Sequence, residues 1–125
     1  MVKVRVVSDQ IGTPTHAVSL ARALWRFAQT DARGIYHWTD AGISSWHEFA
    51  VAIRAEVQRR EPGAKLARVV PITTAGYPTA ARRPARAVLD KSATWAPIGP
   101  AAPWQDELGA MLGAGAKRGW GQAPR

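Results

Sequence analysis

The sequence has 125 residues, which is enough for one compact domain at most. It contains no cysteine, so disulfides, thiolate metal ligands and a cysteine nucleophile are excluded. Its beginning lacks the apolar run of a signal peptide, and no stretch is long and apolar enough for a membrane span. We therefore expect a soluble, cytoplasmic protein with no membrane partner.

The 17 Lys and Arg residues outnumber the 9 Asp and Glu residues, giving a formal net charge of +8. A basic surface attracts nucleic acids, acidic membranes and nucleotide phosphates. The arginines are scattered, however, and only Arg82, Arg83 and Arg86 cluster outside a predicted helix. Because no RNA-binding aromatic pattern or zinc-finger spacing accompanies them, nucleic-acid binding is disfavoured.

The first elements are a strand and a helix. Residues 2–7 alternate between valines and basic residues, which predicts a strand. Gly12 and Pro14 indicate a loop, and Thr15 is the predicted cap of the next helix. That helix has an apolar face at helical spacing, formed by Ala17, Leu20, Ala21, Leu24, Phe27 and Ala28.

The next segment predicts a second strand and a second helix. Residues 35–38 form a short β-prone run between Gly34 and Gly42. Ser45 and Glu48 have the spacing of a capping box, which predicts a helix beginning there. Its apolar stripe consists of Trp46, Phe49, Ala50, Ile53 and Val57. The alternation of strand and helix predicts an α/β fold.

The last third of the sequence is less regular. Residues 66–74 (LARVVPITT) form a possible strand that Pro71 interrupts, and residues 76–90 are mostly extended loop. Pro103 opens a final helix with an apolar face that includes Trp104 and Leu108. Residues 113–125 are rich in glycine without apolar periodicity, so we expect a disordered tail after a folded region of residues 1–112.

The usual enzyme signatures are absent. No glycine-rich phosphate loop follows a strand, and neither Tyr36 nor Tyr77 has a lysine four residues later. The three histidines (16, 37 and 47) share no metal-ligand spacing with another ligand type, so a metal site is disfavoured. No serine lies at a nucleophile elbow.

Tryptophan and arginine offer the remaining candidates. Trp46 and Trp104 lie on apolar helix stripes, which favours a core position over ligand stacking. Trp38 and Trp95 are open between the two roles. Arg83 precedes a proline, and its guanidinium could grip a diphosphate with two parallel hydrogen bonds or simply be a solvated charge.

Three segments of the sequence, taken in order, resemble one family. They contain Asp9-Gln10 with Gly12-x-Pro14-Thr15, then Ser45-Trp46 opening a helix, then Tyr77-Pro78-Thr79 with Arg83-Pro84; the segments are VVSDQIGTPTHAVSLA (6–21), GIYHWTDAGISSWHEFAVAI (34–53) and VPITTAGYPTAARRPARAVLD (70–90). In type, order and spacing these motifs resemble the dTDP-4-dehydrorhamnose reductases of the extended short-chain dehydrogenase superfamily.

The resemblance implies the C-terminal part of such a reductase: the last strands and helices of a Rossmann-like sheet plus a small substrate-binding subdomain. The cofactor turn and the Tyr-x-x-x-Lys pair of the family belong to a preceding part, a missing N-terminal Rossmann half. In the intact enzyme, NADPH transfers hydride to C4 of dTDP-4-dehydro-L-rhamnose, the last step toward dTDP-L-rhamnose for cell-surface polysaccharide. By position in the resemblance, the dTDP-sugar site includes Gln10, Thr13, Thr15, Trp46 and Arg83, with no catalytic or cofactor-binding residue in this chain.

Some members of this family bind magnesium at a homodimer contact through glutamates of the first and last helices. The corresponding stretches here carry Val18 and Ala114, so neither magnesium nor that dimer follows from the resemblance. Two alternatives remain: a stand-alone nucleotide-sugar-binding module without turnover, and a small basic nucleic-acid-binding protein. If the resemblance holds, the strands at residues 2–7 and 35–38 lack parallel partners, and we expect poor solubility.

Overall fold

The structure is a computed structural model that describes residues 2–118. Its helices are α1 (Ala17–Ala28), α2 (Trp46–Arg60), α3 (Ser92–Ile98) and α4 (Trp104–Lys117). Its strands are β1 (Lys3–Val7), β2 (Ile11–Gly12), β3 (Ser44–Ser45) and β4 (Arg68–Ile72), with a short 3-10 helix at Thr74–Gly76. The predicted α/β class is confirmed.

The strand predicted at residues 2–7 forms as β1, and it has a partner. It pairs in parallel with β4, with Val4 opposite Val69 and Val7 opposite Ile72. The expectation that this strand lacks a parallel partner is therefore wrong. Pro71 lies within β4, where its missing N–H is compatible with a strand at the edge of a two-stranded sheet.

A second, smaller group of paired segments forms around β2. Ile11 and Gly12 pair in antiparallel fashion with β3. On its other side, Ile11 accepts a backbone hydrogen bond from Ala87 (2.7 Å) and donates one to Ala85 (2.8 Å). Three distant parts of the sequence therefore meet at β2. Main-chain hydrogen bonds hold in place the loop of residues 76–90, called the proline-rich loop below.

The N-terminus of α1 is not capped as predicted. The Thr15 hydroxyl donates to the Thr13 carbonyl (3.3 Å) instead of capping the helix. The backbone N–H of His16 donates to Asp40 Oδ2 (2.8 Å), and the Ser19 hydroxyl donates to the other oxygen of the same carboxylate. A buried carboxylate from a later loop thus satisfies this helix end, a long-range contact that local spacing could not indicate.

The capping box predicted for α2 is present. Ser45 Oγ accepts from the Glu48 backbone N–H (3.0 Å), and the Glu48 carboxylate accepts from the Ser45 N–H (2.9 Å). Because Ser45 also belongs to β3, the same residue fixes where the strand ends and where the helix begins.

The fully buried apolar core is small. Among residues 2–118 it comprises Ala23, Trp104 and Leu108. The Trp104 ring meets Phe49 edge to face, with centroids 5.9 Å apart, and its indole N–H donates to the Ile43 carbonyl (3.3 Å). The predicted core position of Trp104 is confirmed, and it joins α4 to α2.

The strand predicted at residues 35–38 is wrong. This segment is irregular, and the Ile35 side chain is 88% exposed. Within the described part of the chain, no neighbouring strand pairs with it. A β-prone sequence forms a strand only where another strand accepts and donates its main-chain hydrogen bonds.

The predicted boundary at residue 112 is also wrong, because α4 continues to Lys117. Gly115 is buried, and Gly113 lies where an added Cβ would be 3.3 Å from the guanidinium of Arg60 in α2. Gly113 therefore leaves room for the Arg60 guanidinium beside α4, and the helix continues although glycine disfavours helices in isolation. The rest of the predicted tail, residues 119–125, lies outside the described residues.

Candidate functional site

A cleft of about 520 Å³ opens beside β2. Its walls come from the loop after β1, the beginning of α2 and the proline-rich loop. The lining residues are Gln10, Ile11, Gly12, Thr13, Pro14, Thr15, Ser44, Ser45, Trp46, Phe49, Arg83, Pro84 and Ala87. Since β2 pairs with segments on both sides, the hydrogen bonds that assemble the cleft are main-chain bonds between its own walls.

All five residues predicted to contact a sugar nucleotide line this one cleft: Gln10, Thr13, Thr15, Trp46 and Arg83. They come from parts of the sequence up to 73 positions apart (from 10 to 83). The fold therefore brings them together, and their role in binding stays a prediction. Two of the hydroxyls have their hydrogens engaged, because Thr13 donates to the Gly42 carbonyl (2.6 Å) and Thr15 donates to Thr13.

The predicted core position of Trp46 is wrong, since its side chain is 59% exposed. Trp46 is the first residue of α2 and stands at the mouth of the cleft. Phe49, one turn later, makes the contact with Trp104 in the core. The apolar stripe of α2 is thus divided: its first member faces the cleft and a later one faces the core.

Arg83 provides the only charge among the residues that line the cleft. None of the ion pairs within residues 2–118 includes it, whereas Arg22, Arg59 and Arg60 all pair with glutamates. Its neighbours in the basic cluster, Arg82 and Arg86, do not line the cleft. With no carboxylate in its walls, the cleft attracts anions, and Arg83 can offer two parallel N–H groups to one of them.

Gln10 is held by a contact that the sequence did not reveal. Its Nε2 donates to Thr74 Oγ1 (3.3 Å), and Thr74 Oγ1 in turn donates to Asp9 Oδ1 (2.7 Å). The hydrogen bonds from Thr74 lower the pKa of the Asp9 carboxyl. Thr74 follows β4 as Asp9 follows β1, and parallel strands end at the same edge of a sheet. If the pairing of β1 with β4 had been predicted from the sequence, it would have indicated that Asp9 and Thr74 lie close together.

A buried polar network lies between α1 and α3. Asp40 is 1% exposed and binds the start of α1 through both carboxylate oxygens. Lys91 Nζ donates to Thr39 Oγ1 (2.8 Å) and to the Asp40 carbonyl (3.2 Å). Burial lowers the pKa of Lys91, an effect that the nearby Asp40 charge opposes. The network fixes the start of α1, the helix that directly follows the cleft residues Thr13 and Thr15.

The family model described as the RmlD substrate binding domain matches residues 2–116. This chain belongs to that family. The match spans the whole cleft, all of α2 and nearly all of α4. The resemblance to dTDP-4-dehydrorhamnose reductases, first carried by three motifs, is thereby confirmed.

Curated relatives of this RmlD-type domain are considerably longer than the chain. It is 43% identical over 103 residues to a dTDP-4-dehydrorhamnose reductase of Burkholderia thailandensis, covering 73% of this chain and 34% of that protein. It is 42% identical over 91 residues to the spore coat polysaccharide biosynthesis protein SpsK of Bacillus subtilis, covering 73% of this chain and 30% of that protein. The chain thus spans about a third of the length of these relatives.

Solved structures agree. A dTDP-4-dehydrorhamnose reductase ortholog from Clostridium acetobutylicum superposes with a TM-score of 0.80 at 32% identity, covering 90% of this chain and 38% of that one. The Bacillus anthracis reductase, solved in complex with NADP, gives a TM-score of 0.77 at 25% identity, covering 91% of this chain and 38% of that one.

The residues of this RmlD-type domain do not fit the cofactors of the wider family. Within residues 2–118, no three His, Asp or Glu side chains come close enough to hold a metal ion. Val18 and Ala114 carry no side-chain oxygen for magnesium. Gly113 and Gly115 lie inside α4, whereas a dinucleotide phosphate turn follows a strand. None of the helices in this part of the chain is long and apolar enough to span a membrane.

A second cavity, of about 550 Å³, lies between α1 and the irregular segment after it. Its apolar walls include Leu20, Leu24, Phe27 and Trp38. Leu24 is 61% exposed, and Trp25 on the next part of the helix surface is 72% exposed. This face of α1 is an exposed apolar surface of the RmlD-type domain.

Proposed function

We propose that this chain is the sugar-nucleotide-binding part of an NADPH-dependent dTDP-4-dehydrorhamnose reductase that acts in the cytoplasm. In this proposal, cofactor binding and catalysis reside in polypeptide outside these 125 residues, joined to the chain or separate from it. Family membership and the names of the relatives support the substrate class. The observation that carries the proposal is the composition of the cleft: one arginine, one exposed indole and several uncharged polar groups, with no carboxylate.

Each part of this cleft matches one part of a nucleotide sugar. In this proposal Arg83 binds the diphosphate, because a guanidinium can donate two parallel hydrogen bonds to phosphate oxygens. The exposed Trp46 ring offers a flat surface for the base or the sugar. The side-chain oxygens of Gln10, Thr13 and Thr15 supply hydrogen-bond acceptors for hydroxyl groups.

The chain contributes binding energy and orientation to the reaction. When bound in such a reductase, NADPH supplies the hydride that reduces the sugar ketone. The residues of this chain hold the nucleotide end of the substrate. The main-chain pairing around Ile11 keeps the walls of the cleft in place, so that the sugar is held in one position relative to NADPH. Binding energy from such remote contacts is what an enzyme uses to orient the reacting carbon.

The apolar face of α1 and the second cavity are, in this proposal, the surface that receives the cofactor-binding part. The exposed residues Leu20, Leu24 and Ile35 would be buried there. The β-prone segment 35–38 would then gain a strand neighbour and pair with it.

A chimera tests this function. In the Burkholderia thailandensis reductase, the region that matches this chain would be replaced by residues 2–118. NADPH oxidation would then be measured spectroscopically with dTDP-4-dehydro-L-rhamnose as substrate. We expect a dehydrorhamnose-dependent rate from the chimera and none from the 125-residue chain alone.

The matched variants are Arg83→Ala and its neighbour Arg82→Ala. Loss of a charge-assisted phosphate contact should lower kcat/KM about ten- to hundredfold in the first chimera. The second should retain the parent rate, because Arg82 does not line the cleft. A folded chimera that binds NADP but shows no dehydrorhamnose-dependent turnover would contradict the proposal.

A further inference from the structure

The carboxyl ends of β1 and β4 are joined by a cluster of hydrogen bonds beside the cleft. The Ser8 backbone N–H donates to the Ile72 carbonyl (2.8 Å). One residue further, the Asp9 carboxylate accepts from the Thr74 backbone N–H (2.8 Å) and from the Thr74 hydroxyl (2.7 Å). Gln10, which lines the cleft, donates from Nε2 to the same hydroxyl oxygen (3.3 Å).

The direction of these bonds follows from the chemistry of the groups. An ionised carboxylate can only accept, so the single hydrogen of the Thr74 hydroxyl is committed to Asp9. The Thr74 oxygen then has only lone pairs to offer to Gln10. The Gln10 amide must therefore place its NH₂ group toward Thr74, and the opposite orientation would set two acceptor oxygens against each other.

We infer that Asp9 and Thr74 position Gln10 so that its Oε1 is held free as a hydrogen-bond acceptor for a donor group of the nucleotide sugar in the cleft. The donor is a sugar hydroxyl or the N–H of the base. This inference rests on the proposed function and adds to it the direction of one hydrogen bond. The cleft selects ligands that donate a hydrogen bond to Gln10 Oε1. Thr74 acts through Gln10 and does not line the cleft itself.

The orientation can be measured without a ligand. In the ¹⁵N-labelled 125-residue chain at neutral pH, the side-chain NH₂ signal of Gln10 is identified by its loss in Gln10→Ala. We expect Thr74→Val, which keeps the backbone N–H and the shape, to shift this signal and to speed exchange of its protons with water. Thr74→Ser should leave both unchanged. Coincident signals and exchange rates in wild type and Thr74→Val would overturn the inference.

Titration calorimetry then tests the consequence for binding, with dTDP and dTDP-L-rhamnose as probes. We expect Thr74→Val to weaken binding about three- to tenfold, the effect of one lost neutral hydrogen bond, and Thr74→Ser to restore it. If the loss appears with dTDP alone, the donor is on the nucleotide; if it appears only with dTDP-L-rhamnose, the donor is on the sugar.

A double-mutant comparison separates positioning from a general structural role. In a Gln10→Ala background, Thr74→Val should cause no further loss of affinity, because the residue through which it acts is gone. An equal loss in both backgrounds would overturn the inference while leaving the proposed function intact. If the wild-type chain binds neither probe, the proposed function fails, and the NH₂ signal still decides how Gln10 is oriented.

Discussion

The cleft and the outer face of α1 are two surfaces of the same domain that differ in how far their groups are satisfied within the chain. Around the cleft, three segments of the chain satisfy one another through main-chain bonds to Ile11, and a capping box closes the start of α2. On α1, apolar side chains such as Leu24 and Trp25 are exposed to solvent. Within residues 2–118, no strand pairs with the β-prone segment 35–38 that follows the helix.

The difference indicates how the two surfaces are used. Polar groups that are already paired within the chain form a site that is ready for a small ligand. Apolar side chains left in water favour burial against another protein surface. This contrast supports the proposal that the chain binds the substrate and that other polypeptide covers the face of α1.

Among the polar contacts, the largest expected effect is at Asp40, the carboxylate that binds the start of α1. Asp40→Ala leaves two donors without partners, the half-buried His16 N–H and the buried Ser19 hydroxyl. We expect the free energy of unfolding to fall by about 2–4 kcal/mol, measured by urea denaturation of the full chain. Asp31→Ala, at an exposed position, is the control. A loss no larger than that of the control would show that Asp40 does not stabilise the start of α1.

The capping box provides a smaller test, confined to the cleft side. Ser45→Ala removes the acceptor for the Glu48 N–H and should destabilise the chain by about 1 kcal/mol, seen in the same denaturation curves. Ser45→Thr keeps a hydroxyl acceptor and should lose less. If Ser45→Ala were neutral, the cleft would be less rigid than its hydrogen bonds indicate.

The α1 face should tolerate charge where the cleft and core do not. Leu24→Lys is expected to change the free energy of unfolding by no more than about 0.5 kcal/mol and to raise solubility, measured by light scattering against concentration. Ala23→Lys, one position away but 1% exposed, should unfold the chain. Unfolding by Leu24→Lys would mean that this face is already part of the core.

The smallest expected effect concerns the ion pairs of Glu56 with Arg59 and Arg60 within α2. Arg59 and Arg60 lower the pKa of Glu56 from 4.5 to about 2. Since the folded-state pKa lies below the unfolded one, this contribution to stability is complete above pH 4.5 and is lost as the pH falls toward 2. Glu56→Gln should therefore differ from wild type near neutral pH and approach it in acid, in denaturation curves recorded across this range. Glu61→Gln is the control, and a pH-independent difference would argue against the ion pair.

Local patterns were sufficient for the elements whose stabilising contacts are also local. The capping box of Ser45 and Glu48 lies within four residues, and the alternation of residues 2–7 predicted β1. The parallel pairing of β1 with β4 and the long-range cap at Asp40 involve residues far apart, so spacing could not indicate them.

The errors have the same origin. Residues 35–38 have strand-forming side chains, but no strand among residues 2–118 pairs with them. The helix α4 continues through Gly113 and Gly115, where the sequence alone predicted a tail. Trp46 lies on an apolar stripe, but its position at the first residue of α2 turns it to the cleft. The candidate cleft residues came from the family resemblance, and the fold supplied the hydrogen bonds that connect Gln10 to Thr74.

The cleft should bind a dTDP-sugar, and calorimetric titration of the 125-residue chain with dTDP-L-rhamnose measures this binding. We expect saturable binding at one site, weakened about ten- to hundredfold by Arg83→Ala and unchanged by Arg82→Ala. Absence of saturable binding by the folded chain, or equal affinity in the Arg83→Ala variant, would contradict this expectation.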